Sequence, residues 1–191
     1  RGNTTDYEII SRALGIPFAR FIDTRKQNPL LGYSRDLCNT AFYNNLVVID
    51  IGMNVGVASL YFASQPYVKK VYGYEPFPET FAEASMNVAA NPVMASKIKL
   101  MNEGVSNLRE IRSIALFESG LLSASTIEQK NEYGKKIGQV IEVQLVSIKE
   151  VFELVLAENP NAKILLKLDC EGEEYVIFDM LKETSYLNNV E

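Results

Sequence analysis

The sequence predicts an α/β protein built on a parallel sheet. Three observations carry this prediction. From Leu46 onward, short apolar runs alternate with segments at helical spacing, which is the rhythm of strand-helix-strand units. The runs are nearly continuous rather than alternating, as strands buried on both faces require. Each strand end carries an acidic residue beside Gly or Pro, and an open parallel sheet binds its ligands outside these ends.

The elements follow in order. Asp6–Leu14 sets Ile9, Ile10, Ala13 and Leu14 on one side of a short helix. Gly15 to Asn45 mixes Pro, Gly and Asn and reads as irregular, so residues 1–45 preface a domain over 46–191. Leu46-Val47-Val48-Ile49-Asp50-Ile51 is the first strand and Gly52 to Gly56 a turn. Val57, Leu60 and Tyr61 give helical spacing up to the Gln65-Pro66 stop. Lys70 to Glu75 is the second strand. Pro76 and Pro78 then introduce a helix on Phe77, Phe81, Ala84 and Val88, which Asn91-Pro92 ends. Lys97 to Met101 is a third strand. Ser113–Glu118 and Gln139–Val146 read as two strands around a polar, Gly-containing segment, either extra to the parallel run or extending its edge. Ser147 with Glu150 predicts a capped helix through Ala157. Lys163 to Asp169 is another strand, Glu171 to Lys182 a helix, and Val190 begins a further strand.

Composition narrows the chemistry. The 191 residues, 47% hydrophobic and 23% charged, suffice for one real core. There is no histidine, which removes Ser-His-Asp and Cys-His nucleophiles, imidazole bases and His-containing zinc sites. The two cysteines, Cys38 and Cys170, are no disulfide framework or thiolate metal site; reduced thiols point to a cytoplasmic protein. A net charge of −5 gives no global attraction for nucleic acid. No apolar run reaches the ~20 residues that span a bilayer.

The strand ends hold the candidate site. In Asp50-Ile51-Gly52-Met53-Asn54-Val55-Gly56, Gly52 permits close backbone approach to a ligand, Asn54 tolerates a left-handed conformation and Gly56 permits tight helix-strand packing. Glu75 follows the glycines by about twenty residues, where a carboxylate accepts from a ribose diol. Phe77 is near enough in sequence to touch a nucleoside. A pyrophosphate needs the fuller G-x-G-x-x-G pattern and a turn free of acids. Here Asn54 replaces the middle glycine and Asp50 precedes the turn, which favours a cation over a phosphate. S-adenosylmethionine, with its ammonium and sulfonium, fits this turn better than NAD.

Three stretches, VVIDIGMNVGVASLYFA, VYGYEPFPETFAEASMNVAAN and LLKLDCEGEEYVIFDML, resemble in order and spacing the motifs of the FkbM family of S-adenosylmethionine-dependent methyltransferases. The first matches D-I-G-A-N-x-G with Met53 in place of the small residue. The last matches K-I-D-x-E-G-x-E with Cys170 at a position usually β-branched. The resemblance implies a class I, Rossmann-like methyltransferase sheet with flanking helices, and methyl transfer to a hydroxyl of a sugar, glycolipid or polyketide-type acceptor. Carried over, Asp50, Gly52, Asn54 and Gly56 hold the methionine end, and Glu75 binds the ribose. Asn102, Glu103 and Gly104 lie along the adenine, and Asp169 stands beside the transferred methyl.

A hydroxyl acceptor must lose a proton. Without histidine, Asp169 is the first candidate base and Glu171 the second; Asp169 is alternatively a ligand of the cofactor's ammonium. Glu173 and Glu174 read as acids favourable to a helix N-terminus and nothing more. No set of oxygen ligands for a divalent metal is found beyond Asp169. The competing readings are an NAD-dependent oxidoreductase on a similar sheet and a non-catalytic cofactor-binding partner subunit. The resemblance also implies a sheet lacking its last C-terminal strands. The expectation is a longer natural chain, or pairing of the exposed edge with a second copy or another partner.

Overall fold

The structure is a computed structural model that describes residues 45–117, 125–126, 137–170 and 172–190. The expected N-terminal helix and preamble, Cys38, Glu171 and most of the 118–136 segment lie outside them. The strands are β1 (Leu46–Ile51), β2 (Val68–Tyr74), β3 (Ile98–Met101), β4 (Gly104–Ser106), β5 (Glu110–Phe117), β6 (Ser125–Thr126), β7 (Ile137–Ser147) and β8 (Lys163–Leu168). The helices are α1 (Val57–Ser64), α2 (Pro78–Ala89), α3 (Pro92–Ala95), α4 (Ile148–Glu158) and α5 (Glu174–Lys182), followed by a 3-10 turn at Ser185–Asn189.

Four strands form a parallel sheet in the order β3-β2-β1-β8. β1 lies inside it and all six of its residues are buried, which explains its apolar run, interrupted at Asp50 alone. The strand faces differ in what they meet. Asp50 and Gly73 are register partners. Asp50 reaches Ser59 of α1, and Gly73 lies against Met53, whose side chain is only 2% exposed. A Cβ on Gly73 would stand 2.5 Å from the Met53 sulfur, so the bulkier residue in the turn is seated where β2 lacks a side chain. Ile49 and Ile51 share the other face with Tyr72 and Tyr74. Both tyrosines are buried, as their alternation predicts. The Tyr72 hydroxyl donates to Glu158 (2.7 Å) and accepts from Asn159 (2.7 Å), which ties the end of α4 to the sheet.

The excursion after β3 forms its own four-stranded sheet, β4-β7-β5-β6, rather than extending the first. β5 and β7 are antiparallel, with Arg112 opposite Val143 and Ile114 opposite Ile141. β4 pairs in parallel with the end of β7. Three residues long, β4 is too short to show a period, and the sequence reading treats Gly104 as a strand end instead. Gly104 is where β4 begins, and a Cβ there would meet Leu145 Cδ2 at 2.5 Å and Pro76 Cβ at 3.2 Å.

Two helix starts test the reading of caps. Ser147 and Glu150 form the predicted capping box at α4, with the Ser147 amide donating to Glu150 at 3.0 Å. α5 begins at Glu174 rather than Glu171. The Glu174 carboxylate accepts from the amides of Cys170 (2.9 Å) and Gly172 (2.7 Å), holding these residues in a turn before the helix. Val190 makes an isolated parallel bridge to Ile164 of β8, where the sequence places the beginning of a further strand.

Candidate functional site

The carboxyl ends of β1, β2, β3 and β8 meet around the 52–56 turn. Gly52 and Gly56 both have left-handed backbones (φ 72° and 82°), and so does Asn54 (φ 54°), the non-glycine residue expected to adopt one. At Gly52 the close approach comes from the protein itself. A Cβ there would lie 2.0 Å from the Asp169 carbonyl oxygen, so glycine lets β8 pass against the turn. Gly56 stands against Ala84 of α2, where a Cβ would be 3.4 Å from the alanine Cβ; the packing is helix on helix rather than helix on strand.

Every amide of the turn has a partner inside the protein. Gly52 and Met53 both donate to the Tyr74 carbonyl (3.0 Å each), and Gly56 donates to the Met53 carbonyl (3.0 Å). Val55 donates to the Asn54 side chain at 2.7 Å. The Asn54 amide donates to Glu75 Oε2 at 3.0 Å. A phosphate-binding loop works by pointing such amides at the anion. Here all five are already used, which disfavours a pyrophosphate ligand and with it the nicotinamide-cofactor reading.

Glu75 is 5% exposed. Its Oε1 accepts from the Phe77 amide at 3.1 Å and its Oε2 from Asn54. Each carboxylate oxygen accepts two bonds, so these contacts aim the group while leaving it acceptor capacity. Burial pushes the Glu75 carboxyl up, against the lowering effect of the two amides. Its contribution to stability is therefore full below the unfolded carboxyl value and is lost as pH rises through the higher folded one. Glu75→Gln is expected to remove this part of the stability loss between acid and neutral pH. Denaturant unfolding of both proteins across pH checks it, and an unchanged pH slope in the variant contradicts it.

Asp50 is fully buried. Its Oδ2 accepts from Ser59 Oγ at 2.6 Å, and its Oδ1 lies 2.8 Å from Lys167 Nζ at ion-pair rather than hydrogen-bond geometry. The lysine's hydrogen bond goes to the Gly52 carbonyl at 2.9 Å. The charge of Asp50 is thus met by Lys167 inside the protein. Lys167 was missed in the sequence, where it is one cation in an apolar run.

The remaining candidates take separate places. The Asn102 side-chain amide donates to the carbonyls of Glu75 (2.9 Å) and Pro76 (3.3 Å) and so joins the ends of β2 and β3. Glu103 pairs with Arg109 (3.3 Å), which also holds Glu150 (2.9 Å). Phe77 is partly exposed at the start of α2. Asp169 is exposed at the end of β8 and is fixed there by its amide on the Ile51 carbonyl at 3.1 Å. Cys170 behind it is a free thiol pushed well above its ordinary range by burial, which makes it a packing residue rather than a nucleophile. Glu173 and Glu174 do more than favour a helix dipole. Glu174 builds the turn, and Glu173 receives Arg112 and Ser106. Among the described residues no group of His, Cys, Asp and Glu could hold a metal ion.

Fold and site together define a Rossmann-like α/β domain whose first turn is closed to phosphate and flanked by carboxylates. Residues 50–185 match the family described as the Methyltransferase FkbM domain. The chain belongs to this family. It is 26% identical over 163 residues to methyltransferase sdnD of Sordaria araneosa, an overlap covering 73% of this chain and 62% of that protein. A crystal structure of methyltransferase FkbM from Methylobacillus flagellatus KT aligns with 94% of this chain and 41% of that one, at 12% identity and a TM-score of 0.47. The chain therefore spans less than two thirds of the length of either.

Proposed function

We propose that the protein is an S-adenosylmethionine-dependent O-methyltransferase acting on a hydroxyl of a sugar, glycolipid or polyketide-type small molecule. The carrying observation is Glu75. It is a buried carboxylate aimed by two backbone amides at the end of β2, beside a turn with no amide to offer a phosphate. That acceptor suits a nucleoside with a ribose diol and no pyrophosphate. When bound, S-adenosylmethionine supplies an electrophilic methyl on its sulfonium.

The chain's own residues then bind, orient and take a proton. Glu75 would accept from the ribose hydroxyls. The 52–56 turn would border the methionine end, held in shape by Lys167. Asn102 and Glu103 would border the adenine. Asp169, exposed at the end of β8, would accept the proton of the acceptor hydroxyl, as a positioned carboxylate does in general base catalysis. Glu171 is the second candidate for that step. Positioning of two reactants accounts for much of the rate in such a displacement. No helix among the described residues is long and apolar enough to cross a membrane; we assign the protein to the cytoplasm on its cysteine usage.

Calorimetric titration with S-adenosylmethionine and with NAD tests the cofactor, and radiolabelled methyl transfer to a panel of sugar hydroxyls tests the reaction. Binding of NAD alone would overturn the proposal. Asp169→Asn is expected to lower turnover by about a hundredfold, the lower bound for losing a general base. Turnover unchanged at intact cofactor affinity would remove Asp169 from the role.

A further inference from the structure

Ser106, Arg112 and Glu173 come from β4, β5 and the residue that opens α5, and they meet in one cluster. Glu173 Oε1 receives Arg112 Nη1, and Glu173 Oε2 receives the Ser106 hydroxyl at 2.5 Å. Arg112 also holds Glu110, through Nε at 2.8 Å and Nη2 at 2.6 Å. Ser106 is fully buried, and the Arg112 and Glu173 side chains are 25% and 22% exposed. This is a charge-assisted, partly desolvated arrangement using the fixed fork of a guanidinium, unlike the exposed pairs that contribute little. An acid needed only for a helix dipole would require none of these partners.

The cluster bears on Asp169. That residue is tied to β1 by its amide. Cys170 and Gly172 are tied to Glu174, and Glu173, next in the chain to Glu174, is gripped from the second sheet. We propose that Arg112 and Ser106 are positioning residues for Asp169, acting through Glu173. The second sheet, an excursion from the parallel run, thereby sets where the Asp169 carboxylate stands. This rests on the reading of Asp169 as part of the methyltransferase site.

The test compares Arg112→Met, Arg112→Lys, Glu173→Gln and a control, Val143→Ala, in the full chain. Val143 is buried, lies opposite Arg112 in the same sheet and has no bond to Glu173. Two readouts are taken: amide hydrogen exchange at Cys170 and Gly172, and turnover in radiolabelled methyl transfer at saturating S-adenosylmethionine. Arg112→Met and Glu173→Gln are each expected to speed exchange at these amides about tenfold through local opening and to lower turnover about fivefold, part of what losing a general base costs. Arg112→Lys should recover part of both. Val143→Ala should lower the unfolding midpoint and move neither readout. Exchange unchanged in Arg112→Met and Glu173→Gln, or changed equally by Val143→Ala, would overturn the inference. Failure of the wild-type chain to bind S-adenosylmethionine would overturn the cofactor reading, while the exchange comparison would still decide whether Arg112 holds the turn.

Discussion

Gly52→Ala is expected to cost more than about 4 kcal/mol of folding stability, the range reserved for a named structural failure. The new Cβ would stand 2.0 Å from the Asp169 oxygen and 2.8 Å from the Asp169 carbonyl carbon, both backbone atoms directly after β8. A side chain could turn away, but here β1 and β8 would have to separate. The left-handed φ of 72° adds about 1 kcal/mol for any residue with a Cβ. Gly172 is the internal comparison. Its φ is 115°, yet nothing lies within 4 Å of where its Cβ would be, so Gly172→Ala should cost only ~1–2 kcal/mol of backbone strain. Urea unfolding of the two variants separates clash from conformation. Similar losses at both positions would show that the approach of β8 is not what demands glycine at 52.

Lys167→Met is expected to cost about 3 kcal/mol, because it leaves the Asp50 carboxylate buried without its cation. Asp50 is fully buried, whereas the Lys167 side chain is 16% exposed, which places the expected loss at the low end for breaking a buried pair. The same change removes the bond to the Gly52 carbonyl, so affinity for S-adenosylmethionine should fall along with stability. The double variant Asp50→Asn, Lys167→Met should recover part of the stability, since no unpaired charge remains. Chemical unfolding of the two single variants and the double variant gives the coupling directly. Additive losses would show that the pair does not act as a unit.

The parallel sheet was legible because its strands are short, mostly apolar runs punctuated by Gly or Pro, with β1 buried along its whole length, and Ser147 and Glu150 announce a helix in local chemistry alone. The left-handed turn and the place of Glu75 at the end of β2 were legible for the same reason, since both are set by position relative to a strand end. What failed were contacts between residues far apart in the chain. The pairing of Asp50 with Lys167 joins residues more than a hundred positions apart. The signal was present, though. LVVIDI and KILLKL pair residue for residue in parallel, and the one acid of the first, at its fifth place, lies opposite the second lysine of the other. Two opposite charges facing each other across paired strands, each set among apolar neighbours, mark an internal pair. Arg112 offered no such sign, since it is one of three polar residues in the first half of β5 and its partner Glu173 sat among other acids. β4 was invisible because three residues hold no period.

The complete pairing of amides in the 52–56 turn also bears on the kinetics of binding. A loop that needs its ligand to satisfy its backbone must be ordered by that ligand, and the ordering weakens affinity. This turn is already closed upon Tyr74, Glu75 and its own residues. Cofactor should therefore meet a rim that is in its final shape beforehand, so that association is governed by encounter and affinity is not reduced by a scarce competent state.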